Sequence, residues 1–161
     1  MKISPDLQLR FRDYVRDVAD VRQNLEFLLE NLKERVDLDG SRESLEALEA
    51  AFWRVKEVGI PSELSDESQM VWLMTQYLAD AIIRKTGAKW VQATDSNPMF
   101  GQPALDQFGN EKWDRIYPVA LANSFANLHR SNPMFPGVRD RKVLARMFDK
   151  ALRIHELKPS R

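Results

Sequence analysis

Twenty-four acids and two histidines are the side chains of this sequence best suited to proton transfer or cation binding, and there is no cysteine. Thiolate nucleophiles, disulfides and thiolate metal ligands are thereby excluded. Asp80 has the most suggestive setting. It lies midway along the most apolar helical stretch, with Gln76 and Arg84 one turn away on either side. The plain reading is an i, i+4 ion pair with Arg84; the functional one is an acidic floor to a groove between this helix and a sheet. A second group, Asp95, Asp106, Glu111 and Asp114, falls near predicted strands, where paired carboxylates can do acid–base work. Alternation makes Asp106 and Asp114 outward strand residues. No nucleophile, base and orienting group can be assembled from these acids, so no catalytic residue is assigned and the chain is not read as an enzyme. A small enzyme with an acidic site is the third of three readings.

The other chemistry-bearing residues have structural uses. Asp37, Asp39, Ser41 and Glu43 have a faint likeness to a calcium loop, but Leu48 stands where the bidentate glutamate belongs. Helix capping explains them better. His129 falls at a helix end, where a cation favours the negative pole. His155 lies beside Ala151 and Leu152 on an apolar face and reads as packed. Zinc-protease and nucleophile-elbow motifs are missing, and the six glycines stand singly. Neither a metal nor a cofactor is expected.

The elements that must position these residues follow from periodicity. Phe11, Tyr14, Val18, Val21, Leu25, Leu28 and Leu32 alternate steps of 3 and 4, the seam of one long amphipathic helix running from Pro5 to the Asp37–Gly40 turn. Ser41 is a good N-cap for a second helix with Leu45, Leu48, Phe52 and Val55 on its seam, stopped at Gly59. Two seams joined by a short turn predict an antiparallel helical hairpin over residues 1–60. A central helix, residues 65–87, is apolar nearly all round, with Gln69, Gln76, Asp80 and Arg84 breaking the surface. Strands are predicted at Lys89–Ala93, Ala104–Phe108 and Lys112–Tyr117, a small antiparallel three-stranded sheet within residues 88–117. Pro118 opens a fourth helix, and a last helix spans Arg139–Glu156, so two helices fill residues 118–157. The whole is an α+β single domain.

Ser-Asn-Pro-Met-Phe occurs twice, at Ser96–Phe100 and Ser131–Phe135. The flanks do not align, which argues against a duplicated unit. The residue before proline leaves the helical region and Asn accepts turn geometry, so each copy reads as a loop anchored by its Met-Phe pair. Alternatively Met99, Phe100, Met134 and Phe135 converge, with Asp80 and Arg84, on a surface for a protein partner.

Composition excludes other classes. With 43% hydrophobic and 30% charged residues, the chain is that of a globular protein. No apolar run nears the roughly 20 residues that span a bilayer, and the start lacks a secretory core. A cytosolic protein of bacterial type, monomer or homodimer, is expected. Formal net charge is zero, yet residues 1–80 hold 17 acids against 10 lysines and arginines, and residues 130–161 hold three against nine. Arg139, Lys142, Arg146, Lys150 and Arg153 step by 3, 4, 4 and 3, which puts them on one stripe of the last helix. Such a stripe is a solvated face, a contact for the acidic half, or a polyanion-binding surface.

Three segments, the last of them Tyr117-Pro118, also carry a likeness. Leu38-Asp39-Gly40-Ser41-Arg42-Glu43-Ser44-Leu45-Glu46-Ala47-Leu48-Glu49 resembles the L-D-Y-S-x-x-S-L-x-x-L-E stretch of a set of small, mostly uncharacterised bacterial proteins. Tyr77-Leu78-Ala79-Asp80 with Arg84, Gly87, Lys89, Trp90 and Val91 is similar to their Y-L-G-E…R…G-x-x-W-V stretch, and Pro118 stands where they carry a proline before a helix. Gly40 replaces their tyrosine, and Ala79-Asp80 their Gly-Glu. The resemblance implies a shared fold and an immunity or accessory role. The leading expectation is therefore a non-catalytic protein-binding protein, with a nucleic-acid binder acting through the basic helix as the alternative.

Overall fold

In the computed structural model, which describes residues 2–59, 67–94, 99–106, 115–122 and 141–157, Ser4 opens the first helix. Its hydroxyl accepts from the Leu7 N–H at 3.3 Å, and Pro5 takes the first helical position of α1, Pro5–Ala19. The expected single long helix breaks at Asp20, where the backbone tightens to a bond back to Asp17 at 3.1 Å and α2 restarts over Val21–Asn31. Aspartate is a weak helix former, and the two halves have different neighbours. The first lies against the sheet and the central helix, the second against the central helix. Helix α2 also stops earlier than expected. Lys33 adopts φ +57, Glu34 N–H reaches Leu29 O at 2.8 Å and Lys33 N–H reaches Glu30 O at 3.0 Å, the pattern of a Schellman cap. A lysine in place of the usual glycine hid that stop.

Helix α3, Arg42–Val58, starts on Ser41, whose hydroxyl accepts from Ser44 N–H at 3.1 Å, and ends at Gly59 with φ +95. Helix α4, Glu67–Thr86, buries Met70, Met74, Tyr77, Leu78, Ala79, Ala81 and Ile82 completely or nearly so. Its predicted cap at Ser65 lies outside the described residues. Strands β1, Lys89–Gln92, and β2, Pro103–Asp106, pair antiparallel with Trp90 opposite Leu105. The sheet of the described residues has two strands, not three. Residues 107–114 lie outside them, and what the expected third strand contributes is an isolated bridge, Ile116 with Leu105, bonded both ways at 2.8 and 3.2 Å. Pro118 limits it, since proline cannot donate to a ladder and residues 118–122 are already helical. The last helix, α5, spans Val143–Glu156.

The fold is mainly helical with a small antiparallel sheet, and α4 is its axis. Helices α1, α2, α3 and α5 all pack on it. The closest backbone approaches of α3 are to α4 and α5 rather than to α2, so the expected hairpin is opened around the central helix. One buried cluster runs from Tyr14 and Val18 through Leu25, Leu48, Phe52, Tyr77 and Leu105 to Leu144 and Phe148. No helix among the described residues is long and apolar enough to cross a membrane.

Candidate functional site

Two of the three segments that carry the sequence likeness meet in space, and Tyr77 joins them. Its ring is fully buried. The hydroxyl accepts from Gly40 N–H at 2.9 Å and lies 2.7 Å from Ser44 Oγ. Ser44 Oγ donates its one proton to Ser41 O at 2.7 Å, so Tyr77 must be the donor to Ser44. A chain of bonds therefore runs from Gly40 through Tyr77 and Ser44 to Ser41, fastening the turn before α3 to the middle of α4. Asp39 Oδ1 accepts from Ser41 N–H at 2.8 Å, and these Ser41 bonds hold the Asp39 carboxyl below its usual range. The loop with a faint calcium likeness is a capping turn. Tyr77→Phe should cost about 1–3 kcal/mol in a urea titration, because it strands buried partners while keeping the ring. Unchanged stability would remove the latch.

Asp80 sits one turn beyond Tyr77. Its Oδ2 takes Arg84 Nε at 3.0 Å and Arg22 Nε at 3.3 Å, with the Asp80 side chain 19% exposed. The i, i+4 pair is present, and Arg22, which sequence spacing did not suggest, ties α2 to α4 from the other side. Gln76, expected at the surface, is 2% exposed. On this stripe of α4, Asp80 meets Arg22 of α2, and Gln76 borders residues of α1. Gly40 packs beside this pair with φ +80, and a Cβ there would come within 3.0 Å of Arg22 Nη2. The left-handed φ is one that side chains rarely adopt, which is why glycine suits the position.

Charge also organises the contact of α3 with α5. Arg42 binds Asp149 at 2.9 Å and Glu46 at 2.5 Å, Lys142 approaches Glu46 at 3.6 Å, and Arg141 binds Glu57 at 2.8 Å. Part of the basic C-terminal segment thus lies on acidic α3. Glu49, fully buried, accepts from Val143 N–H at 3.1 Å and Leu144 N–H at 3.0 Å, capping α5 from another helix. Burial raises its pKa, while those two N–H groups, Trp53 and Arg146 pull it back. From the expected stripe, Lys142, Arg146, Lys150 and Arg153 are exposed; Arg139 lies outside the described residues.

The remaining predicted residues are not gathered into one site. Met99 and Phe100 are half-buried in the turn that leads into β2, where Gly101 N–H bonds Ala93 O at 2.8 Å. They are neither sealed plugs nor an exposed patch. Met134, Phe135, His129, Asp95, Glu111 and Asp114 lie outside the described residues. Asp106 pairs with Arg115 at 3.1 Å, and His155 is half-buried with Nδ1 enclosed. Among the described residues, no group of three or more acids and histidines is placed to hold a metal ion.

One surface residue escaped the sequence reading. Phe27 is 69% exposed on α2, on the side away from Leu25 and Leu28. Glu26 and Glu30 are exposed around it, and they open onto a neighbouring groove of about 700 Å³ where four acids, with Glu34 and Asp37, face two cations, Lys33 and Arg35. The signal was an aromatic residue out of phase with the seam. Comparison with protein families, with curated proteins and with solved structures finds no match for this chain.

Proposed function

We propose that this chain is a non-catalytic cytosolic protein that binds another protein, in an immunity or accessory role, through the outer face of α2. Phe27 carries the reading. An aromatic side chain exposed to this degree, with exposed Glu26 and Glu30 beside it on the helix, has the make-up of an interface anchor, apolar in the middle and charged around it. The acidic surround selects a basic partner and speeds its approach. The acids that sequence offered for proton transfer support the non-catalytic part. Of these, Asp80 and Asp106 each pair with arginine, and Asp95, Glu111 and Asp114 lie outside the described residues. Affinity capture from the native host's cytosol, with wild type beside Phe27→Ala and Glu30→Lys, tests the reading. A specific basic protein should be retained by the wild type and lost from both variants. Identical capture profiles would sink it.

The exposed stripe of α5 favours a second reading, polyanion binding. Base-reading or stacking side chains do not accompany Lys142, Arg146, Lys150 and Arg153, so binding should be weak, indifferent to sequence and steeply salt-dependent. Titration of labelled DNA and RNA should show complexes at low salt that vanish at moderate salt. Sub-micromolar binding that survives moderate salt and is lost in the Arg146→Glu, Lys150→Glu variant would make this the leading function.

A further inference from the structure

A cavity of about 370 Å³ opens between α1, α4, β2 and the helical segment at 118–122, and Phe27 is not part of its lining. Its size falls within the range of small-molecule sites. Three aromatic rings shape one wall: Phe11, Tyr14 and Trp72. Tyr14 meets Trp72 edge-on at 5.4 Å and, behind it, Trp90 at 5.4 Å, so the wall is braced from the sheet. The opposite wall is Val119 and the turn at Gly101, held rigid where Gln92 Nε2 donates to Leu7 O at 2.9 Å and to Gly101 O at 3.1 Å. Arg10, Asp13, Asp17, Gln76 and Gln102 also line the cavity. Gln76 borders the cavity though only 2% exposed, and the Tyr14 hydroxyl is enclosed with no hydrogen-bond partner among the described residues. Native interiors rarely leave such a group unpaired. Around the mouth, Asp6 pairs with Arg10, while Asp13 and Asp17 share Arg16 at 3.1 and 3.4 Å. Three acids against two arginines leave the rim one negative charge in excess. Trp72, 38% exposed, presents its ring at the same mouth.

We propose that this cavity binds a small aromatic amine, its ring held against Phe11, Tyr14 and Trp72 and its ammonium at Asp13 and Asp17. A ring of that kind fills a slot walled by aromatic edges. A cation gains from the excess carboxylate at the rim and from the face of Trp72. The proposal does not depend on the protein-binding role of α2.

Phenethylamine is the probe, with phenethyl alcohol and hydrocinnamate as its neutral and acidic counterparts, followed by amide-resolved NMR and tryptophan fluorescence. Saturable shifts are expected at Tyr14, Trp72 and Gln76, with the amine bound at least about tenfold more tightly than either counterpart, a difference of roughly 1.4 kcal/mol. Val119→Trp should abolish binding by filling the slot. Asp13→Asn with Asp17→Asn should keep the ring contacts and erase the preference for the amine. The side chains of Asp13 and Asp17 are 44% and 58% exposed, so this variant folds even where the tryptophan one does not. Phe27→Ala should change nothing, which separates this site from the protein-binding face. Absence of saturable shifts, shifts mapping elsewhere, equal affinity for the three probes, or binding undiminished in Val119→Trp would overturn the proposal.

Discussion

Leu25→Ala and Leu48→Ala should each lower the unfolding free energy by about 2–5 kcal/mol. Both leucines are fully enclosed, one on α2 and one on α3, and both helices pack against α4. Truncation removes the transfer free energy of the lost carbons and leaves a void that rigid neighbours fill only in part. The surroundings set where in that range each falls. Leu48 is flanked by Leu45, Ala51 and Phe52, all 0% exposed, so little nearby can collapse inward. Leu9→Ala is the internal control: Leu9 is 56% exposed on α1, and its loss should stay within about 0.5 kcal/mol. Urea titrations with unchanged slopes measure all three. If either buried leucine behaved like Leu9, the packing of its helix on α4 would be wrong.

Glu49 should give the second large effect, and one with a pH signature. Glu49→Ala leaves the Val143 and Leu144 N–H groups at the start of α5 without their acceptor, at about 1–3 kcal/mol for each stranded donor. Glu49→Gln should cost less, since its amide oxygen still accepts from one of them. The pH dependence follows from the raised carboxyl pKa. A raised folded-state pKa means that the folded protein holds the proton more tightly than the unfolded chain. The stability this provides is fully present below the usual glutamate value near 4.5 and is lost as pH rises through the folded value. Wild-type stability relative to Glu49→Gln should therefore fall as pH is raised from below 4.5 towards neutrality. A relative stability that instead rises with pH would show that the helix pole and its N–H groups outweigh burial. Thermal melts of the pair across that range decide the sign.

Residue order alone carried the local decisions. Pro5, Ser41 and Gly59 act within a turn of their own positions, so local chemistry made three of these helix ends legible. The all-round apolar character of residues 70–83 marked α4 as the buried axis, because no orientation of such a helix keeps it out of the core. The Ser41–Ser44 and Tyr77–Asp80 stretches were recognisable as cap and packing positions. That they bind one another was not, since the bond from Gly40 to Tyr77 spans 37 positions. Tertiary structure decided what depends on distant partners. Asp80 takes Arg22 as well as Arg84, and Glu49 caps a helix more than ninety residues away. The break at Asp20 arises because α1 and α2 meet different neighbours, and among the described residues the expected third strand is represented by the Ile116 bridge. The exposure of Phe27 and the cavity beside Tyr14 belong to the same class. Sequence period says which side of a helix is apolar, but only the arrangement of helices around α4 decides which apolar residues are left in water and where the packing leaves room.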